Sequence, residues 1–173
     1  MDVFLSYNWQ DREFAHALRE RLNASGLKVW DPERQLLPGS NWLIETGRAL
    51  ERADSVVFLI SNETLRSPWA VKEVEYAVGN QKFEGMVVPV MLSTDVKMPW
   101  ILNKLKLVDA TGRKPDEVAD EISRRLKSAL RRSESEKSHA VTPIRSSALS
   151  RGQKGRAGSS KSSSSTARHG SKR

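Results

Sequence analysis

Short apolar runs alternate with amphipathic stretches along the first 130 residues of the chain. Buried strands are predicted at 2–7, 27–30, 55–61, 85–92 and 105–110, where short runs are mostly apolar. The run 55–61 is apolar on both faces, which is typical of a central strand in a parallel sheet. Pro89, inside the fourth run, indicates a position nearer the edge of that sheet.

Helical spacing predicts a helix after each of the first three strands and another at the end of this region. The segment 11–26 has its apolar residues in helical register and closes on Gly26, a C-cap glycine. Ser40 or Asn41 can cap a second helix, and Ser67 a third. The buried side of the second helix is expected to include Trp42, Ile44, Leu50 and Ala53.

The last predicted helix, 115–130, has acidic residues early and basic residues late, as the helix dipole favours. Alternating strands and helices predict an α/β fold, a doubly wound five-stranded parallel sheet with helices on both faces. Ligands of such sheets bind at the carboxyl ends of the strands, where the strand order reverses. The loops 7–11, 31–41 and 61–67 would meet there.

Charge is unevenly distributed. Residues 1–132 carry 20 Lys and Arg against 19 Asp and Glu, whereas residues 133–173 carry 9 against 2, with 13 serines and no aromatic residue. We therefore expect a domain at 1–132 and a disordered basic, serine-rich tail at 133–173, because the tail has too little apolar surface to offset its ordering entropy. Any nucleic-acid contact is expected through the tail, since the domain is almost neutral.

Several classes of site and location are excluded by what the sequence lacks. Cysteine is absent, so disulfides, thiolate metal ligands and cysteine nucleophiles are excluded, and no metal site is expected. No signal peptide, membrane span or Walker pattern is recognisable. A cytoplasmic protein with no membrane partner is the expectation.

Two glutamates lie two residues apart in the third helix, but helical geometry separates them. Ala70, Val74, Ala77 and Val78 form the stripe expected to face the sheet. Glu73 lies at the rim of this stripe, whereas Glu75 points to solvent. Glu73 would be semi-enclosed between Trp69 and Tyr76, which makes it the candidate for chemistry. The alternative is an ordinary helix-rim acid paired with Arg52 or Lys72.

Five segments resemble motifs of TIR domains, the Toll/interleukin-1 receptor and resistance-protein module. They occur in the order usual for that family: DVFLSY, LLPGSNW, ALERADSVVFLIS, SPWAVKE and MPWILNKLKLVD. The fourth is similar to the pattern Ser-x-Trp-x-x-x-Glu of TIR enzymes that cleave NAD. The resemblance covers residues 2–130 and implies a flavodoxin-like fold of the bacterial NAD-cleaving type.

The resemblance also implies the site. Glu73 would be the catalytic residue and Trp69 a wall of the nicotinamide-ribose pocket, while Ser6, Trp30 and Arg34 would line the rest. NAD would be substrate, with no cofactor required. The products would be nicotinamide and ADP-ribose or a cyclic isomer of it, in antiphage defence or signalling.

Self-association or contact with other TIR domains is also implied, because neighbouring protomers in this family help to complete the site. In this family the loop after the second strand commonly moves, so the resemblance implies that the loop 31–41 moves here, with Gly39 as its hinge. The rival function is a non-catalytic TIR–TIR interaction module, and fold alone does not separate the two. A deoxyribosyltransferase-like enzyme is disfavoured by the motifs. His16 is expected to be a surface residue, and Ser6 to contact ribose or cap the following turn.

Overall fold

The computed structural model describes residues 1–36, 39 and 41–140, with side chains described as far as residue 135. Its strands are β1 (Asp2–Ser6), β2 (Lys28–Trp30), β3 (Ser55–Ile60), β4 (Val87–Met91) and β5 (Val108–Asp109). All pairings are parallel, in the order β2-β1-β3-β4-β5. This is the doubly wound, flavodoxin-like order, so the predicted fold class is confirmed.

The helices are α1 (Arg12–Ala24), α2 (Pro32–Gln35), α3 (Trp42–Arg52), α4 (Asn62–Arg66), α5 (Pro68–Gly79) and α6 (Pro115–Ala140). Single 3₁₀ turns lie at Trp9–Asp11, Gln81–Phe83 and Leu102–Lys104. The helices α2 and α4 were not predicted, because helices of four and five residues are too short to show a hydrophobic period. Their N-caps, Asp31 and Ser61, were the local signal available.

The last helix is longer than predicted. It ends at Ala140 rather than at residue 130, so residues 133–140 belong to α6 and not to an irregular tail. The chain has no glycine or proline between Pro115 and Pro143, so nothing in the sequence interrupts the helix. The rest of the predicted tail, 141–173, lies outside the described residues.

The faces of the sheet have separate cores because side chains alternate along a strand. Val3 and Leu5 of β1 pack with α1 and α6, in a cluster that includes Leu18 and Ile122. Phe4 points to the other face, where it packs with residues of α3 and α5. Ser6 follows Phe4 by two residues, so it points to this second face as well.

The first turn of α3 is more exposed than predicted. Leu50 and Ala53 are buried, but Trp42 is 43% and Ile44 48% exposed. The buried stripe runs through Thr46, which is 1% exposed, in place of Ile44. Since the α3 helix begins beside the last residue of β1, the sheet provides no surface under its first turn.

The second edge of the sheet is short. β5 spans only Val108–Asp109 instead of 105–110, and it pairs with Val90 and Met91. Pro89 therefore lies in the strand next to the edge, in register with Phe58 of β3. None of the helices in the described part of the chain is long and apolar enough to cross a membrane.

Candidate active site

A strand end and a helix face bring Ser6 and Glu73 together at the carboxyl edge of the sheet. β1 lies between β2 and β3, so its last residue, Ser6, lies at the point where the strand order reverses. The α5 helix begins with Ser67 as its N-cap, whose Oγ accepts from the amide of Ala70, and with Pro68 in its first turn. As predicted, α5 packs on the sheet through Ala70, Val74 and Ala77, which are all buried.

Glu73 is more deeply buried than its position at the rim of this stripe predicted. Glu73 is only 6% exposed to solvent. The Ser6 hydroxyl donates a short hydrogen bond to Glu73 Oε2, and the Trp69 indole Nε1 donates to Glu73 Oε1 at 2.6 Å. Each carboxyl oxygen therefore has one donor, and the Trp69 contact follows from the spacing of one helical turn.

The contacts of Glu73 argue against the helix-rim alternative. Among the ion pairs that the structure describes, none joins Glu73 to Arg52 or Lys72. Tyr76 does not enclose Glu73 as expected, since its ring packs edge-on against Phe83 at 6.3 Å and is 42% exposed. Glu75 is exposed, as its helical position predicted.

Burial changes the acidity of the Glu73 carboxyl. Desolvation raises its pKa from 4.5 to about 7, while the hydrogen bonds from Ser6 and Trp69 act in the opposite direction. The charged form loses more from leaving water than it gains from two donors. A carboxyl that titrates near neutral pH in a cleft is a candidate functional group.

A cleft of about 190 Å³ opens above this carboxyl. Trp42 of α3 and Trp69 of α5 form an aromatic wall, with their ring centroids 5.0 Å apart and their planes inclined at 56°. The Thr46 hydroxyl is buried and has no hydrogen-bond partner among the described residues. A buried hydroxyl without a partner is costly, so Thr46 is suited to bond a ligand.

Two of the predicted lining residues do not reach this cleft. Trp30 pairs in register with Phe4, one pleat short of Ser6, and stacks on the Phe4 ring at 5.1 Å. Its indole lies in a different cleft with Lys28 and Arg52. Arg34 is exposed in α2, and Pro32 is the residue of α2 that lines the cleft. Trp42 and Thr46 were not predicted as lining residues, although their i, i+4 spacing on one helix face was a signal.

A polar cluster fastens α2 beside the cleft. Asp31 is fully buried, accepts from the Tyr7 hydroxyl at 2.7 Å and caps the amide of Glu33 at 3.1 Å. His16 Nε2 lies 2.5 Å from Glu33 Oε2, so His16 is a partly buried member of this cluster and not the surface residue expected. Burial and the adjacent carboxylates raise the pKa of Tyr7, which keeps its hydroxyl a donor.

The remaining loops also hold their places through polar contacts. Ser61 Oγ donates to Asp11 Oδ2 at 2.6 Å, which joins the end of β3 to the start of α1. Asn41 caps α3, while Gly39 has a φ of +83° that favours glycine. The hinge role predicted for Gly39 stays a prediction, and its neighbours Leu37, Pro38 and Ser40 lie outside the described residues.

Two curated relatives match part of this chain. The NAD(+) hydrolase PdTIR of Paracoccus denitrificans is 28% identical over 75 residues, which is 43% of this chain and 25% of that protein. The TMV resistance protein N of Nicotiana glutinosa is 28% identical over 97 residues, 54% of this chain and 8% of that protein. The chain thus aligns with a quarter or less of either relative.

Solved structures share the fold. The TIR domain of the Toll-related receptor TRR-2 from Hydra magnipapillata superposes with a TM-score of 0.54 at 21% identity, over 62% of this chain and 82% of that one. A metazoan TIR-STING receptor from C. gigas, solved with 2',3'-cGAMP, gives a TM-score of 0.59 at 27% identity. It covers 70% of this chain and 39% of that one. The family model described as TIR domain matches residues 3–127, so this chain belongs to the TIR-domain family.

Proposed function

We propose that this protein cleaves NAD at the bond between nicotinamide and ribose, with Glu73 as the catalytic residue. The observation that carries the proposal is the buried carboxyl beneath a cleft walled by Trp42 and Trp69. The relative from Paracoccus denitrificans, whose name states NAD hydrolysis, supports the same reaction class.

The chemistry requires one carboxylate and no acid on the leaving group. As the C1′–N bond breaks, its electron pair returns to the pyridinium nitrogen, and neutral nicotinamide departs. The ribose becomes an oxocarbenium ion, which a carboxylate beneath the sugar stabilises, as in glycosidases. At about 4 Å and an effective dielectric constant of about 20, the attraction is about 4 kcal/mol. That is roughly a thousandfold in rate.

The cation is then captured by an oxygen or nitrogen nucleophile. Attack by water on C1′ gives ADP-ribose and releases one proton, whereas attack by an atom of the same nucleotide gives a cyclic isomer. Both products start from the same first step, so Glu73 has the same role in each. Water access to the sugar decides between them.

The neighbours of Glu73 have separate roles in this proposal. Ser6 and Trp69 hold the two carboxyl oxygens and so orient Glu73 towards the sugar. Trp42 and Trp69 present aromatic faces to the flat nicotinamide ring. Thr46 supplies a buried hydroxyl for a ribose hydroxyl.

The raised pKa of Glu73 fits a cationic substrate. Near neutral pH the free protein holds a large fraction of this carboxyl protonated, because its pKa is about 7. The pyridinium charge of NAD favours the carboxylate, so substrate binding lowers that pKa and generates the reactive form. The burial that disfavours the charge also strengthens its attraction to the sugar cation.

A second candidate function, TIR–TIR assembly, is favoured by a separate observation. Trp42, Leu43 and Ile44 are consecutive and 43–51% exposed in the first turn of α3. Three adjacent apolar side chains in water favour contact with another surface. Because Trp42 also lines the cleft, assembly through this turn would alter the candidate active site.

The test is chromatography of NAD incubated with concentrated protein. Wild-type protein is expected to consume NAD and release nicotinamide, whereas Glu73→Ala lowers turnover by two to four orders of magnitude, an estimate from the 4 kcal/mol above. Glu75→Ala, in the same helix and exposed, is the matched control and should retain turnover within a factor of about 2. Equal NAD loss with wild type and Glu73→Ala would remove Glu73 from the mechanism, whereas no NAD loss with wild type would leave assembly as the function.

A further inference from the structure

A second concave surface lies at the opposite edge of the sheet from Glu73. This groove, which we call the basic groove, has a volume of about 520 Å³. Its floor includes Val87 and Val88, at the amino end of β4, and one wall is the second half of α6. Since β4 has five residues, about 16 Å of strand separates this edge from the carboxyl edge.

The charges lining the basic groove are mostly positive. Lys106, Arg124, Arg125 and Arg132 line it, against one acid, Glu121. That acid is engaged by two cations: Arg113 Nη1 lies 2.8 Å and Arg125 Nη2 2.5 Å from its oxygens, and Arg113 holds its pKa below the usual range. The groove therefore presents an excess of positive charge, although the domain as a whole is almost neutral.

Three of these cations are available to a ligand. Arg125 is occupied, because it donates to the backbone oxygens of Lys106 and Leu107 at 2.7 and 3.1 Å. Lys106, Arg124 and Arg132 form no ion pair with any side chain that the structure describes. Arg124 makes one long contact of 3.3 Å, from Nε to the backbone oxygen of Asp120.

The spacing of the free cations indicates an extended anion. Arg124 and Arg132 are eight residues apart in one helix, which corresponds to about 12 Å along its axis. One phosphate group is too small to contact both arginines. A polynucleotide strand carries a phosphate at every nucleotide, so several successive phosphates together cover this distance. The two guanidinium groups suit phosphate oxygens, which they can bind through paired N–H donors.

The other lining residues argue against base recognition and against a membrane. The groove has no aromatic lining residue among those described, so bases have nothing to stack on. The apolar side of α6 is buried, with Val118, Ile122 and Leu126 all at 0% exposure, which leaves no apolar face to insert into lipid. A polynucleotide would therefore be contacted through its sugar–phosphate backbone only.

We propose that the basic groove binds the sugar–phosphate backbone of a nucleic acid strand, without sequence preference. This places a nucleic-acid contact on the folded domain, whereas the sequence analysis placed it in the tail alone. The proposal is independent of NAD cleavage, because none of the groove residues lines the Glu73 cleft.

The test uses the full chain and fluorescence anisotropy with a labelled oligothymidylate of about 20 nucleotides, longer than typical single-strand sites. The test variant combines Lys106→Gln, Arg124→Gln and Arg132→Gln, and it leaves Arg125 to support the backbone. The control combines Lys28→Gln, Arg66→Gln and Lys97→Gln, exposed cations outside the groove, so both lose the same charge. Thermal unfolding is recorded for both variants to check that each is folded.

At about 150 mM salt, where distant charges are screened, the test variant should bind at least about tenfold more weakly and the control less than about threefold. The slope of log affinity against log salt should become shallower by about 2, for three phosphate contacts. Equal losses in the two variants would overturn the proposal. So would weaker binding by the test variant to phosphatidylserine vesicles with unchanged binding to the oligonucleotide, which would make the partner a membrane.

Discussion

Glu73 and Glu121 are the same residue type in helices on the two faces of one sheet, yet their pKa values move in opposite directions. Burial raises the pKa of Glu73 to about 7, whereas the Arg113 guanidinium lowers that of Glu121. Among the residues that the structure describes, the donors to Glu73 are neutral, Ser6 and Trp69, whereas Glu121 is paired with two cations. The neighbours of an acid, and not its residue type, therefore decide whether it is reactive or merely neutralised.

The two concave surfaces differ in the same way. The Glu73 cleft hides one acidic group under aromatic rings, so a charge there acts on a nearby reacting atom at low dielectric. The cations of the basic groove stay in contact with water, so each attracts an anion only weakly. Only a ligand with several negative charges gains substantial binding energy there. We therefore expect each surface to be disrupted by variants that leave the other intact.

The largest expected effect is on catalysis. Glu73→Gln keeps the size and shape of the side chain but removes the charge, and its NH2 group replaces one of the two acceptor oxygens by a donor, as protonation of the acid would. We expect kcat for NAD to fall by two to four orders of magnitude, because the oxocarbenium ion loses its counter-charge. Quantifying nicotinamide release measures this. Retention of more than a tenth of the wild-type rate would show that the charge is not needed.

The same variant is expected to be more stable above neutral pH. The pKa of Glu73 is near 4.5 in the unfolded chain and about 7 in the folded protein, so folding favours the protonated form. Its contribution is full below pH 4.5, falls as the pH rises to 7 and then stays constant. Glu73→Gln should therefore gain about 3 kcal/mol at pH 8 and almost nothing at pH 4.5.

Chemical unfolding at the two pH values measures this difference. Glu121→Gln is the matched comparison, and the sign of its effect should be reversed. The pKa of Glu121 is lowered in the folded state, so this carboxylate contributes stability above its ordinary pKa. The variant should lose stability at pH 8 and little at low pH. A loss of stability at pH 8 in Glu73→Gln would contradict the proposed burial effect.

The pH dependence of turnover should show the ionisation of Glu73. We expect kcat/KM for NAD to rise about tenfold per pH unit below pH 7 and to level off above it, because kcat/KM reports the free protein. The corresponding limb in kcat should lie at lower pH, since the pyridinium cation favours the carboxylate. A kcat/KM that is flat between pH 5 and 8 would be inconsistent with a catalytic carboxylate of this pKa.

Removing one donor to Glu73 should have a smaller effect. Trp69→Phe retains an aromatic wall but removes the Nε1–H that donates at 2.6 Å. Loss of a hydrogen bond to the charged form raises the pKa of Glu73 further, so the kcat/KM limb should move to higher pH, with about a three- to tenfold loss of turnover at neutral pH. Trp100→Phe, an exposed tryptophan outside the cleft, should shift neither.

The smallest expected effects are the cross-controls between the two surfaces. The triple groove variant should keep kcat/KM for NAD within a factor of about 2, and Glu73→Gln should keep oligothymidylate affinity within the same factor. The two sites are separated by the length of a strand and share no lining residue. A larger cross-effect in either direction would mean that the surfaces are coupled.

Local periodicity was enough to predict α5 and its partners in the sheet. The stripe through Ala70, Val74 and Ala77 is buried as expected, and it placed Glu73 and Glu75 on different sides of one helix. The position of Trp69 beside Glu73 was also predictable, because the two residues are one helical turn apart. The depth at which Glu73 is buried was not, because Ser6 approaches from another element, 67 residues away in the chain.

The lining of the cleft was only partly predictable. The family resemblance placed Trp30 in the cleft, but register pairs Trp30 with Phe4, and its indole stacks on the Phe4 ring instead. Trp42 and Thr46 reach the cleft because the first turns of α3 line it together with Ser6, the last residue of β1. Strand register and the placement of a helix beside a strand end depend on how elements pack, so no local sequence pattern predicts them.

By itself the sequence determined the order of the elements, the parallel sheet and the side chains able to do chemistry, because hydrophobic period and cap residues are local properties. Only the tertiary structure decided which charges are buried and which are free, since burial and pairing depend on distant segments. The fold brings Ser6 into contact with Glu73. It also brings Lys106 close to Arg124 and Arg132, a basic cluster that the nearly neutral net charge of the domain did not indicate. Electrostatic energies depend on that surrounding medium, so the same residue types have different functions at the two edges of the sheet.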